Sequence, residues 1–117
     1  MKVYLVIKRG VFCGYHYVKI KRIYVDLKKA VKLVAEEKSK KRTCYYECIK
    51  VQDMKEEKSL NLSRIYIVVS HSWWMAQNYV KFQGAYIHRE NAIKDKANID
   101  KQFQSHQNFI QKYKINH

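Results

Sequence analysis

An α+β fold made of two tandem ββαβ units is predicted for this 117-residue chain by three observations. The chain repeats itself, its apolar spacing switches between strand and helix periods at the same places in each repeat, and turn-breaking residues are scarce. With a shift of 62, residues 2–35 align with 64–97 without a gap, and Tyr4/Tyr66, Val6/Val68, Tyr17/Tyr79, Lys19/Lys81, Tyr24/Tyr86 and Ala30/Ala92 are identical. A two-residue insertion then brings Tyr45, Ile49, Lys50 and Val51 onto Phe109, Tyr113, Lys114 and Ile115. There are no prolines and only three glycines, so long irregular loops and Gly-rich phosphate cradles are not expected.

The elements follow in order. Residues 2–8 and 64–70 are apolar on both faces and rich in β-branched types, as a central strand requires. A short tip leads to 15–24 and 77–86, where polar and apolar residues alternate like a half-buried strand. Asp26 is placed to cap a helix whose apolar stripe is Leu27, Ala30, Val31, Val34 and Ala35. His88 stands at the equivalent start, and Ala92, Ile93 and Ala97 repeat part of the stripe. Arg89 and Lys96 replace Leu27 and Val34, which predicts a less firmly anchored second helix. Segments 43–51 and 107–115 close the units, giving boundaries of 1–53 and 64–117 around a linker at 54–63. One such unit has too little core to be stable alone. The two are expected to form one pseudo-symmetric domain, with helices on one sheet face and the other face open or covered by a partner.

Lys2-Val3-Tyr4-Leu5-Val6, the helix start Tyr24-Val25-Asp26 with Ala30, and the repeat Ile65-Tyr66-Ile67-Val68 with Ala92 carry a resemblance. Each half resembles small ββαβ proteins of unassigned function from phage and bacterial genomes. His88 departs from the capping residue usual in that pattern. The resemblance implies the fold and a phage origin, and no reaction.

Composition narrows the function. An apolar fraction of 47% excludes general disorder, and a net charge of +14 attracts polyanions or acidic protein surfaces. Residues 1–53 carry 14 basic and 5 acidic side chains, while 64–117 carry 8 and 3, so the first unit is expected to dominate any such binding. Cys13, Cys44 and Cys48 form no even disulfide framework, which points to reduced thiols and a cytoplasmic location, the host's if the protein is phage-encoded. The apolar run Val3–Ile7 is too short for a signal segment or a membrane span, so no membrane partner is expected. The oligomeric state is left open.

No catalytic motif is present, and the first strand ends in Lys8-Arg9 where a metal-dependent nuclease would need carboxylates. A non-enzyme without cofactor is expected. Cys13-x-x-His16 with Cys44 and Cys48 is formally a zinc-ligand set. Along a strand, however, the last two would lie about 13 Å apart. The aligned positions Met75, Asn78, Asn108 and Lys112 retain none of it, so no metal is expected.

Binding residues are the remaining candidates. Tyr15, Tyr17, Lys19 and Lys21 share one strand face, and Val18 and Ile20 the other; Tyr79 and Lys81 repeat the pair. If the aliphatic face meets the helices, both Tyr-x-Lys pairs point to the open sheet face. There, aromatic rings among lysines stack on bases and neutralise phosphates, which makes RNA or DNA, free or within a nucleoprotein, the expected partner. Lys8-Arg9, Arg22 and the cluster Lys38, Lys40, Lys41 and Arg42 extend the basic surface. The alternative uses the hairpin tips, where Phe12 aligns with Trp74 and the second copy reads Trp73-Trp74-Met75. Such an apolar tip is a protein-binding anchor. It would suit a viral inhibitor that blocks a host protein such as a defence nuclease, in the manner of anti-CRISPR proteins.

Overall fold

In a computed structural model, residues 2–53, 63–74, 77–102 and 107–116 are described. The order is β1 (Lys2–Phe12), β2 (Tyr15–Tyr24), α1 (Leu27–Ser39), β3 (Thr43–Lys50), β4 (Arg64–Trp74), β5 (Gln77–Tyr86), α2 (Arg89–Gln102) and β6 (Gln107–Lys114). The molecule is α+β, with two three-stranded sheets ordered β2-β1-β3 and β5-β4-β6. The expected central strands are central in both. They run longer than their apolar cores because each hairpin continues outward to its tip. In β1–β2 the turn residues Cys13 and Gly14 both have positive φ, the geometry that joins twisted antiparallel strands through a two-residue loop.

The second sheet repeats the first at an offset of 62. Tyr4 pairs with Tyr24 and Tyr66 with Tyr86, and each hairpin is interrupted by a bulge, between Val6 and Ile7 and between Val68 and Val69. The extra residues opposite these steps are Lys21 and Gln83. A bulge inverts which face later side chains occupy. Strict alternation along 15–24 therefore misassigns the outer hairpin. Val6, Tyr4 and Tyr24 pack with Ala30, Leu33, Val34 and Cys44 on the helix face. Past the bulge, Ile20 pairs with Ile7 and Val18 with Arg9, on the face opposite α1, whereas Lys19 pairs with Lys8 and Tyr17 with Gly10 on the helix side. The first Tyr-x-Lys pair, Tyr17 and Lys19, thus lies on the helix-bearing face, contrary to expectation. The opposite face is not an open platform either, because Val3, Leu5, Ile7 and Ile23 are fully buried.

The helices also sit differently from their sequence stripes. In α1, Ala30, Val34 and Glu37 are buried while Leu27 and Val31 are exposed. In α2, Ala92 and Ile99 are buried while Ile93 is exposed. The buried line runs through i, i+4 and i+7, and Glu37 occupies it because cations neutralise its charge there. Asp26 caps α1 through Lys28 N at 3.0 Å, as expected. No helix among the described residues is long and apolar enough to cross a membrane.

Two compact bodies divide the chain, and they do not follow the repeat boundaries: one is Lys2–Ile49 with Ile115–His117, the other Lys50–Lys114. In the first body, Asn116 N donates to Ile23 O at 2.7 Å, and Ile115 is buried. In the second, Gln52 N donates to Ala85 O at 2.9 Å, and Val51 is fully buried. Each tail following a third strand therefore belongs to the body built mainly from the other repeat.

Candidate polyanion-binding site

The bulge at Lys21 aims its ammonium at α1, where it pairs with Glu37. Arg42 reaches the other carboxylate oxygen of Glu37 at 3.2 Å. The end of α1 makes this possible. Arg42 N bonds to Glu37 O and Lys41 N to Lys38 O, a Schellman turn that reverses the chain behind the helix. Lys41 takes the left-handed position of that turn with φ 58, where glycine is the usual residue.

Glu37 is only 2% exposed. Its hydrogen bond from Lys21 holds the carboxyl below its ordinary pKa against the opposing effect of burial, and Arg42 adds to the lowering. Burial raises the thiol pKa of neighbouring Cys44, which keeps it protonated; the charges of Glu37, Lys21, Lys8 and Lys38 also act on it. The fields of these four charged residues therefore meet at Cys44 in the first body. Lys8 and Lys19 are direct cross-strand neighbours there. Like charges placed so are destabilising unless an anion lies between them.

Tyr17 completes the corner. A Cβ on Gly10 would overlap the Tyr17 hydroxyl, so the ring lies across the glycine, and the Lys19 ammonium sits 5.7 Å from the ring centroid. This close approach explains a glycine within a strand.

The predicted residues are thus partly united. Lys8, Tyr17, Lys19, Lys21 and Arg42 converge on the helix side of the first body. Lys40 caps α1 and Lys41 follows it, both exposed. The guanidinium of Arg22 turns back to Lys21 O. Arg9 lies on the opposite face, 5.5 Å from the Tyr45 ring centroid and bonded to its hydroxyl. Lys81 is exposed and pairs with Ser70. The side chains of Tyr79, Phe12, Trp73 and Trp74, and all of Met75, lie outside the described residues. One participant escapes sequence reading: Glu37 looks like an ordinary solvated helix acid.

At the corresponding place the second body carries a charge-balanced hydrogen-bond network. Gln83 donates to Ser70, Ser70 to Asn108 Oδ1 at 2.6 Å, and Asn108 to Asp100 at 2.8 Å. Asp100 is also paired with Lys96, whose hydrogen bond lowers its pKa, with Asn108 helping. Ser70 and Gln83 stand where the first repeat has Lys8 and Lys21, so the cationic corner belongs to one body only. Cys13 and Cys48 are exposed and Cys44 is buried; among the described residues, no group of three or more His, Cys, Asp or Glu side chains could hold a metal ion. No protein-family model, curated protein or solved structure matches the chain.

Proposed function

We propose that this protein is a non-catalytic binding protein for RNA or DNA, built by tandem duplication of a ββαβ unit, and that the first body makes the contact. One observation carries the reading: Lys21 and Arg42 hold the buried carboxylate of Glu37, while Lys8 and Lys38 act with them on neighbouring Cys44 and Lys19 stands directly across from Lys8. Two cations already saturate that acid, leaving Lys8 and Lys19 side by side. The energetic disadvantage of that pair is relieved by a phosphate backbone. Tyr17 supplies a ring beside them for base stacking. A lysine at the strained Lys41 position agrees with this reading, since backbone strain tends to persist where function needs the side chain. The shared bulge position and the reciprocal tails support the duplication.

The test is fluorescence anisotropy with labelled single-stranded RNA and DNA between about 50 and 200 mM salt. Wild type is expected to bind with steep salt dependence. Lys8→Gln/Lys19→Gln should weaken binding at low salt and reduce the slope of log K against log salt by about 1.4, or roughly 0.7 per lost phosphate contact. Equal affinity and slope in the two proteins would overturn the assignment.

A further inference from the structure

A second cationic site lies in the second body. Ser63 and Arg64 at the start of β4, with Lys112, Tyr113 and Lys114 at the end of β6, line a surface cavity of about 430 Å³. That volume falls in the range of small-ligand sites. Arg64 pairs directly with Lys114 across the strands, and Lys112 pairs with Tyr66 two residues along the same face. By strand geometry the two lysines are roughly 7 Å apart, with Arg64 about 5 Å across from Lys114. Three cations therefore surround one opening, and no acid is among its lining residues. None of the three forms an ion pair among the described residues. As β6 is an edge strand, no neighbouring strand of this sheet covers its outer side. Tyr113 donates its hydroxyl to Gln111 at 2.7 Å, and burial raises its pKa to about 12, so the wall it forms stays neutral toward an anion.

We infer that this cavity binds the phosphate chain of a small polyphosphate anion, with Arg64 gripping two oxygens of one phosphate while Lys112 and Lys114 neutralise its neighbours. The planar guanidinium suits bidentate phosphate recognition, and the lysines act as point charges. Ser63 adds a hydroxyl donor. A nucleotide and free polyphosphate share this chemistry. The site uses residues separate from the Lys8–Lys19 corner and stands independently of the nucleic-acid reading.

Calorimetric titration of the full chain at about 20 mM salt with tripolyphosphate, ATP and adenosine tests it. Tripolyphosphate is expected to bind and adenosine not to bind. Tighter binding of ATP than of tripolyphosphate assigns the site to nucleotides, and binding that is no tighter assigns it to the polyphosphate chain alone. Arg64→Gln/Lys114→Gln should weaken tripolyphosphate binding about tenfold or more, while Lys8→Gln/Lys19→Gln leaves it unchanged. No binding of tripolyphosphate, or unaltered binding in the Arg64/Lys114 variant, would overturn the proposal. So would loss caused by the Lys8/Lys19 substitutions alone.

Discussion

Glu37 concentrates the residue-scale physics of the first body. It is a carboxylate in a line of buried helix positions, held ionised by Lys21 and, secondarily, Arg42. Its folded pKa lies below the ordinary value, so the folded state binds fewer protons than the unfolded chain through the acid range. The stabilisation is fully present above the unfolded pKa of about 4.3 and disappears as pH falls through the lower folded value. Glu37→Gln should lower the melting temperature near neutral pH and lose less stability on acidification than wild type. Melting curves between pH about 3 and 7 measure both effects, and parallel curves would remove Glu37 from this role. The slope would be reduced without vanishing, because hydrogen bonds also lower the pKa of Asp53 and Asp100. None of this is legible from sequence. Glu37 lies beside Glu36 in a lysine-rich helix, and only folding brings Lys21 and Arg42 to it.

At the scale of elements, the chain leading into α2 is fixed from a distant segment. Asp53 accepts hydrogen bonds from Ile87 N at 2.7 Å, His88 N at 2.9 Å and Asn91 Nδ2 at 3.0 Å. Burial raises the Asp53 pKa, but these donors outweigh it and the net shift is downward. Asp53→Ala should therefore destabilise the protein by about 1 kcal/mol, comparable to loss of a local N-cap. Chemical denaturation measures the change, and amide exchange should show extra fraying at 89–92. No effect on either would mean that His88 suffices. The repeat makes all six strands and both helices legible, yet it also hides this clamp, since Asp53 sits where the sequence passes from unit to linker. The same limit applies to the hairpin faces. Alternation correctly groups Tyr17 with Lys19 and Val18 with Ile20, but a single bulge decides which group faces the helix, and no turn residue signals it.

For the molecule as a whole, the reciprocal tails tie the beginning of the chain to its end. The first body contains Lys2–Ile49 but takes Ile115 and Asn116 from the far terminus. Ile115 is 2% exposed, and Asn116 extends the pairing by bonding to Ile23 O, beside fully buried Leu5. A core isoleucine cut back to alanine loses both its transfer free energy and the packing around the vacated volume, so Ile115→Ala should cost about 2–4 kcal/mol. Lys114 must remain, since its charge belongs to the second body's cavity; substitution therefore separates the two effects better than deletion. If Ile115 completes the first body, amide exchange in the Ile115→Ala variant should rise along β1 and β2 before it rises along β4, β5 and β6. Binding of long nucleic acid should fall in proportion to the population in which β1 and β2 have opened, because Lys8 and Lys19 keep their cross-strand register only while those strands are paired. Tripolyphosphate binding should persist under the same conditions. Uniform loss of protection in both bodies would show that the tail stabilises the entire chain as one cooperative unit.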